Sequence, residues 1–212
     1  DPDQKTRDKI NSKWGGFIDP IIFDPLKYNI VPKAMNAIDP MQILSLEIVG
    51  RALKDAGYAD RAFDRKHASV IMGVAGGLGE LGVMYTMRTG LSLVFDNIPE
   101  AALAQLPEWT EDSFPGLLGN VVAGRIANAF DFGGTNCAVD AACASSLAAV
   151  YLGVKELTDG SSNLVVVGGV EALGAHGAPR TDGEGWLGGC VALGKEHGDV
   201  VAEACGVVAP AH

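Results

Sequence analysis

One cysteine in this chain stands where a strand-like run of residues changes into a helical one. Residues 136–141 mix apolar and β-compatible types over the length of an ordinary buried strand, and Cys143 follows. Ala144, Ser145 and Ser146 come next and are small, which leaves the sulfur reachable. Helix N-termini favour anions, and cysteine pKa values there fall below the free value of about 8.5. Cys143 is therefore a candidate nucleophile, on a strand–turn–helix unit like the one that presents serine in hydrolases.

The residues after Cys143 have helical periodicity. Apolar side chains recur at i, i+3, i+4, i+7 and i+10, namely at Leu147, Val150, Tyr151, Val154 and Leu157. This spacing indicates a helix with one apolar stripe. The nucleophile would then stand at the beginning of that helix.

The rest of the chain alternates between strand and helix patterns. Asp39 can cap a helix that has Pro40 in its first turn and ends at Gly57. We also predict strands over 68–74 and 164–170, helices over 81–87 and 117–130, and a loop over 107–115. Such alternation indicates an α/β fold with a largely parallel sheet.

Composition excludes several classes of protein. The 212 residues suit one domain or one large unit, and the net charge of −10 argues against nucleic-acid and anionic-membrane surfaces. No apolar run reaches the roughly 18 residues of a membrane span, and residues 1–5 do not look like a signal peptide. The four cysteines have no Cys-x-x-Cys spacing, so we expect reduced thiols, no metal site and a cytoplasmic location.

Four ordered motifs carry a family resemblance. They are Ile38-Asp-Pro-Met-Gln42 with its helix ending in Asp-Ala-Gly, Gly124-Arg-Ile-Ala-Asn128 with Phe130-Asp-Phe-Gly-Gly134, Val139-Asp-Ala-Ala-Cys143-Ala-Ser-Ser-Leu147, and Asn163-Leu-Val-Val-Val-Gly-Gly-Val-Glu171. Together they resemble the β-ketoacyl synthases, the condensing enzymes of fatty acid and polyketide synthesis. Trp14-Gly-Gly-Phe17 and Gly133-Gly-Thr-Asn-Cys137 are similar to iterative ketosynthases of polyunsaturated fatty acid, enediyne and glycolipid synthases.

The resemblance implies a thiolase-like fold and a definite chemistry. Cys143 would accept an acyl group from the phosphopantetheine of an acyl carrier protein, and its own N–H would stabilise the oxyanion. A decarboxylated malonyl-type unit would then attack the acyl-cysteine in a Claisen condensation. No bound cofactor or metal is implied. Family members dimerise through this half, so we expect a homodimer and an exposed apolar face on the single chain. An acidic carrier protein would need a local basic patch on this acidic chain.

The resemblance is strongest over the nucleophile-bearing half of a ketosynthase. We divide the chain into a loop-rich lead segment (1–37), the ketosynthase N-terminal half (38–172) and a divergent closing segment (173–212). The family's two condensing histidines come from downstream motifs that this sequence lacks, and His176 lies too close to Cys143 to match them. His67, His197 and His212 are interpreted as surface residues. We therefore expect that the isolated chain can be acylated at most and cannot condense, and a missing first strand would leave a sheet edge or core face uncovered.

Other readings of the sequence compete with this one. Gly77, Gly79 and Gly82 fit a dinucleotide-binding G-x-G-x-x-G, with Asp96 at the end of a second apolar run as the ribose ligand. Only residues 83–90 separate the last glycine from that run, which is short for a crossover helix, so a glycine-rich surface turn is preferred.

Two further alternatives concern the chemistry itself. A non-catalytic partner subunit would keep the fold but usually replaces the cysteine, whereas this chain retains Cys143. A serine hydrolase is disfavoured because the sequence has no G-x-S-x-G and places Ser145 and Ser146 inside the helix. Cys137, Cys190 and Cys205 lie in apolar strand-like runs and are interpreted as buried thiols.

Overall fold

A single mixed sheet organises the protein. The computed structural model describes residues 22–74, 79–173, 185–196 and 199–208. Its strands are β1 (Ala68–Val74), β2 (Asn136–Val139), β3 (Leu164–Leu173), β4 (Gly185–Glu196) and β5 (Asp199–Val208). They lie in the order β2-β1-β3-β4-β5, in which β2, β1 and β3 are parallel and β4 and β5 are antiparallel to their neighbours.

The helices follow the predicted alternation. They are α1 (Pro40–Asp55), α2 (Glu80–Val94), α3 (Glu100–Leu103), α4 (Ser113–Leu117), α5 (Val121–Phe130) and α6 (Ser145–Thr158). A 3-10 helix, Arg65–His67, leads into β1. The strand prediction over 68–74 is confirmed residue for residue, because a run of seven buried residues between turns has few other solutions.

The lead segment was predicted to be loop-rich over 1–37. Residues 1–21, with Trp14-Gly-Gly-Phe17, lie outside the described residues. The remainder forms two 3-10 helices, Pro25–Tyr28 and Pro32–Ala37, each with a proline in its first turn. Short turns punctuated by proline are therefore what leads into α1.

Asp39 caps α1 as predicted and also holds a second helix. Its Oδ1 accepts a hydrogen bond from Met41 N–H at 3.0 Å, while Oδ2 accepts one from Leu81 N–H at 3.1 Å, in the first turn of α2. The side chain is buried, so both oxygens satisfy helix N–H groups that water cannot reach. One carboxylate therefore ties together the beginnings of α1 and α2. At the other end of α1, Gly57 adopts a φ of +75°, as the predicted stop requires.

The sheet is covered on both faces, and the side chains of β1 and β3 alternate between them. Val70, Met72, Val166 and Val170 pack with α1 and α5 in the larger core. Ile71, Val165 and Val167 pack under α6 with Ala149 and Leu157 in a smaller one. The result is a three-layer α/β arrangement in which the larger core lies on the side away from α6.

One helix prediction and the loop prediction beside it differ from the structure. The predicted helix over 117–130 is α5 with α4 before it, and α4 extends into the segment predicted as a loop over 107–115. Gly116 lies in α4, at the point where this helix approaches the residues before α1. Its amide carbonyl accepts the Asp39 N–H at 2.8 Å, and any Cβ there would collide with the Ala37 carbonyl.

The closing segment forms a hairpin on the far side of β3. The strand-like runs around Cys190 and Cys205 lie within β4 and β5. The outer edge of β4 is covered by β5 rather than left open. Helix α1 crosses this region and contacts β3, β4 and β5. No helix among the described residues is long and apolar enough to cross a bilayer.

Candidate active site

Cys143 lies in the turn that joins β2 to α6. The strand ends at Val139, two residues earlier than predicted, and the helix begins at Ser145 with Ala144 as its N-cap. Cys143 thus stands just before the helix, in the turn between the strand and the helix. Its side chain is exposed, which leaves the sulfur open to an incoming reagent.

The turn has a strained residue at its apex. Ala142 has a φ of +49°, a left-handed conformation that costs a non-glycine residue about 1 kcal/mol or more. Asp140 Oδ1 accepts the Ala142 N–H at 2.9 Å, which stabilises this conformation from the strand side. Strained backbone residues cluster at functional sites, where the surrounding structure holds them in place.

Ser145 stabilises the same turn from the helix side. Its hydroxyl oxygen accepts the Ala141 N–H at 2.9 Å and donates to the Ala142 carbonyl at 2.6 Å. The Ser145 N–H donates to that carbonyl as well, at 3.0 Å. The Cys143 N–H has no hydrogen-bond acceptor among the described residues. The turn therefore offers a backbone donor next to the thiol.

Two glycines allow the beginning of α6 to approach the sheet closely. A Cβ on Gly73 of β1 would lie 2.5 Å from the carbonyl carbon and 2.6 Å from the carbonyl oxygen of Ser145. A Cβ on Gly169 of β3 would lie 2.9 Å from Ser146 Cβ and even closer to Ser146 Oγ. Real Cβ atoms essentially never approach other atoms within 3.0 Å, so both positions need glycine for this packing. The height of the nucleophile above the sheet depends on these two residues.

The far end of α6 is fixed by a network of hydroxyl groups. Glu156 accepts hydrogen bonds from Ser162 Oγ at 2.8 Å and Thr135 Oγ1 at 3.0 Å. The Ser162 hydroxyl donates its one proton to Glu156, so it accepts the hydrogen bond that joins it to Ser69 Oγ, 2.7 Å away. Ser69 Oγ in turn accepts the Thr135 N–H at 2.8 Å. The network joins α6 to β1 and to the residue before β2, and sequence reasoning missed it because its members are scattered along the chain.

The two motifs before the nucleophile motif contact each other. Gln42 is buried and donates through Nε2 to the carbonyls of Pro115, Gly116 and Leu118 at 2.9–3.2 Å. Its Oε1 accepts a hydrogen bond from Arg125 Nε. Burial lowers the pKa of the Arg125 guanidinium, an effect that nearby Asp112 partly offsets. These residues hold α5, and hence the entry to β2, against α1.

The other cysteines differ from Cys143 in setting. Cys137 is half-buried in β2, and burial, with a smaller contribution from the Glu156 carboxylate, raises the pKa of its thiol. Cys190 and Cys205 lie within β4 and β5, as their strand-like runs predicted. In the part of the chain that the structure describes, no three His, Cys, Asp or Glu side chains are grouped as a metal would require.

The histidines give no sign of a catalytic group near the thiol. His67 is exposed as predicted and pairs through Nδ1 with Asp64 Oδ2 at 2.6 Å, which lowers the pKa of that carboxyl. His176, His197 and His212 lie outside the described residues.

The structure contradicts the dinucleotide-binding alternative. The second apolar run, taken there as the next strand, is the last turn of α2, which runs without interruption from Glu80 to Val94. Asp96 is exposed beyond that helix and does not follow a strand. Gly77 lies outside the described residues, while Gly79 packs so tightly on the Asp39 carboxylate that a Cβ there would collide with it.

Fold and site together define a class of protein. A mixed sheet with β2, β1 and β3 parallel, covered by helices on both faces and carrying an exposed cysteine on a strained turn before α6, is that of a thiolase-like fold. The chain belongs to the β-ketoacyl synthase family: the model of the family's N-terminal domain matches residues 1–181. Ketosynthases of this family act in polyketide and fatty acid synthases, where they catalyse Claisen condensation.

Individual relatives agree with this membership. One subunit of the polyunsaturated fatty acid synthase of Thraustochytrium is 38% identical over 182 residues, covering 79% of this chain and 6% of that protein. The 6-methylsalicylic acid synthase of Aspergillus terreus is 32% identical over 170 residues, covering 80% of this chain and 8% of that protein. The oxazolomycin ketosynthase domain OzmH KS7 of Streptomyces albus superposes with a TM-score of 0.58 at 28% identity, covering 81% of this chain and 27% of that domain's chain. This chain thus spans a small part of each relative.

Proposed function

We propose that Cys143 is the acyl-accepting nucleophile of this ketosynthase. The observation that carries the proposal is the exposed thiol on the turn before α6, beside a backbone N–H without an acceptor among the described residues. A thiolate there can attack a thioester carbonyl while the N–H stabilises the oxyanion that develops. Cys137 is a poor alternative because its pKa is raised and it is half-buried.

The acyl donor in this proposal is a thioester on the phosphopantetheine arm of an acyl carrier protein or domain. The arm presents its acyl group at the end of a long flexible chain, which an exposed turn can receive. The relatives named above include a polyunsaturated fatty acid synthase and a 6-methylsalicylic acid synthase, and we take acyl and malonyl-type thioesters as the corresponding substrate class. No bound cofactor is needed for the transfer.

Condensation needs histidines in addition to the thiol. The sequence contains neither of the downstream histidine motifs of the family, so the proposed activity of this chain by itself is acyl transfer to Cys143. The decarboxylative step would depend on histidines supplied by another segment or another chain. The competing proposal is a non-catalytic partner role, and the same experiment separates the two.

The test is acylation of the chain by a short acyl thioester or a cerulenin-type electrophile, followed by intact mass. We expect one acyl group per chain, mapped to the Cys143 peptide and absent from Cys143→Ala. Cys137→Ala is the matched control and should acylate like the parent protein. A folded parent chain that takes up no acyl group would show that its relationship to ketosynthases is one of ancestry and not of activity.

We also propose that the chain forms a homodimer through the α6 side of β2. Among the described strands β2 is the edge of the sheet, it is only partly buried, and no other described strand pairs with its outer side. On the neighbouring helix, Leu147 and Tyr151 are 75% and 69% exposed, and Val154 continues the same stripe. An apolar helix face next to an open strand edge favours a symmetric partner that covers both.

The oligomeric state can be measured by analytical ultracentrifugation of the parent chain and of Tyr151→Asp. We expect a dimer that the aspartate converts to monomer, because a charge in the centre of the interface would be desolvated without a partner. Thr158→Asp, also exposed but at the end of α6, is the control and should remain dimeric. A monomeric parent chain would contradict the proposal.

A further inference from the structure

We infer that Ser145 is a positioning residue for acyl transfer, which aims the Cys143 N–H at the developing oxyanion. The inference rests on the proposed function of Cys143 and adds a residue to it. Ser145 is 5% exposed, so its hydroxyl reaches the turn and not solvent. By its place in the sequence it is only a small residue at the beginning of a helix.

Planarity of the peptide bond couples the Ala142 carbonyl to the Cys143 N–H. The two groups belong to one peptide unit and point in opposite directions. Ser145 binds that carbonyl twice, through Oγ at 2.6 Å and through its backbone N–H at 3.0 Å. Because the carbonyl is fixed toward the beginning of α6, the Cys143 N–H is fixed on the other side of the same plane.

The hydroxyl also restrains the peptide unit that joins Asp140 to Ala141. It accepts the Ala141 N–H at 2.9 Å, so one oxygen atom holds the backbone on both sides of the left-handed residue. Without it, the unfavourable φ of Ala142 could relax and turn the Cys143 N–H away. An oxyanion donor contributes only when it is already aligned with the oxygen that gains charge.

The step that Ser145 would assist is the transfer of the acyl group from the donor sulfur to the Cys143 sulfur. The Cys143 thiol loses its proton to solvent, and the sulfur attacks the thioester carbonyl carbon to form a carbon–sulfur bond. The carbonyl oxygen becomes an oxyanion that accepts the Cys143 N–H. When this tetrahedral intermediate collapses, the carbonyl re-forms and the bond between the carbonyl carbon and the donor sulfur breaks. The donor leaves as a thiolate and takes up a proton.

Two reagents separate alignment of the donor from reactivity of the thiol. Acylation by an acyl thioester passes through the oxyanion, whereas alkylation by iodoacetamide displaces iodide and forms no oxyanion. We expect Ser145→Ala to slow acylation of Cys143 by tenfold or more, toward the loss of about 100-fold known for a removed oxyanion donor. Alkylation of the same thiol should change by less than about twofold, since the Ser145 hydroxyl has its hydrogen bonds with the Ala141 N–H and the Ala142 carbonyl and, among the described residues, none with the sulfur.

Matched variants make the result specific. Ser145→Thr keeps the hydroxyl, so its ratio of acylation rate to alkylation rate should equal that of the parent protein. Ser146→Ala removes a hydroxyl one residue further on, which has no hydrogen bond among the described residues, and should leave both rates unchanged. If Ser145→Ala does not fold, the change is made in an Ala142→Gly background and compared with Ala142→Gly alone, because glycine adopts a positive φ without strain.

Three outcomes overturn the inference. Equal losses in acylation and alkylation would show that the hydroxyl only supports the turn, and no loss in either would show that it does not position the N–H. Absence of Cys143-dependent acylation in the parent chain would refute the proposed function itself, and the inference with it.

Discussion

The two faces of the sheet are built from different kinds of residue. On the face under α1 and α5, large side chains such as Leu44, Ile48 and Met72 fill the space between helix and strand. On the face under α6, the helix begins directly against the backbone at Gly73 and Gly169, with hydroxyl groups at both of its ends. The first face gains its stability from apolar area, and the second fixes the position of one turn.

Substitutions on the two faces of the sheet should have different effects. A cavity in the larger core removes stabilising contacts but leaves the backbone of the surviving folded molecules almost in place. An atom added at Gly73 under α6 has to move the helix itself, since its neighbours are main-chain atoms of Ser145 and Ser146. Stability and nucleophile geometry should therefore respond separately to changes on the two faces.

The largest effect is expected from Gly73→Ala. The new Cβ would lie 2.5–2.7 Å from main-chain atoms of Ser145 and Ser146, so the beginning of α6 must shift and carry Cys143 with it. We expect acylation of Cys143 to fall by about 100-fold or more, since misplacement by about 1 Å has that consequence in enzymes. The measurement is the rate of acylation by thioester, followed by mass. Gly90→Ala adds the same methyl group where nothing lies within 4 Å, and should acylate normally.

Leu44→Ala tests the opposite face. Leu44 is 2% exposed in the larger core, and its truncation should lower the free energy of unfolding by about 3 kcal/mol. Acylation per folded molecule should change little because the change leaves the packing of α6 untouched. Denaturant unfolding and the acylation rate are measured on the same preparation. A loss of acylation as large as that of Gly73→Ala would mean that the two faces are not independent.

Asp39→Ala removes a cap from two helices at once. Both carboxylate oxygens accept hydrogen bonds from helix N–H groups in a buried setting. We therefore expect the free energy of unfolding to fall by about 2 kcal/mol, roughly 1 kcal/mol for each helix. Asp24→Ala is the matched control, because Asp24 caps only the exposed 3-10 helix Pro25–Tyr28 through Leu26 N–H. Asp24→Ala should lower the free energy of unfolding by about 0.5 kcal/mol. Equal losses in the two variants, measured by denaturant unfolding, would show that the link to α2 adds nothing.

The smallest expected effect is a difference between Cys137 and free cysteine in how the rate of alkylation depends on pH. Burial first, and the Glu156 carboxylate second, raise the pKa of the Cys137 thiol. A raised pKa means less thiolate at neutral pH, so iodoacetamide should alkylate Cys137 more slowly than free cysteine and reach its full rate at higher pH. Glu156→Gln should shift the profile part of the way down. Peptide mapping from about pH 7 to 10 brackets the free thiol pKa and gives both profiles. A Cys137 profile below that of free cysteine would refute the stated shift.

Several features of the fold could be read from the amino-acid sequence. The bounds of β1, the Asp39 cap and the Gly57 stop of α1 depend on local rules of burial and capping, and all three are confirmed. The four motifs, taken in order, were sufficient to recognise a ketosynthase. The assignment of Cys143 as nucleophile stays a prediction, although the structure places it on an exposed turn between a strand and a helix.

The orientation of α6 could not be read in the same way. Its apolar stripe has a spacing that usually faces a core, yet Leu147 and Tyr151 are exposed, while the helix buries Ser145, Ala149, Gly153 and Leu157 against the sheet. Ser145, Ala149 and Gly153 are small because the beginning of the helix approaches the strands too closely for large side chains, whereas Leu157, which belongs to the predicted stripe, is buried near the other end. Periodicity reports which side chains share a face but not how near the neighbouring backbone lies.

The sequence by itself determined the family, the order of strands and helices, and the residue type at the candidate nucleophile, because each depends on local pattern or on motifs that are contiguous in the chain. Only the tertiary structure decided which atoms surround that residue. Gly73, Gly169 and Ser145 belong to three separate elements, and the pairing of β1 with β3 under α6 brings them together. Distances between such residues depend on how the helix packs on the sheet, which no local pattern encodes.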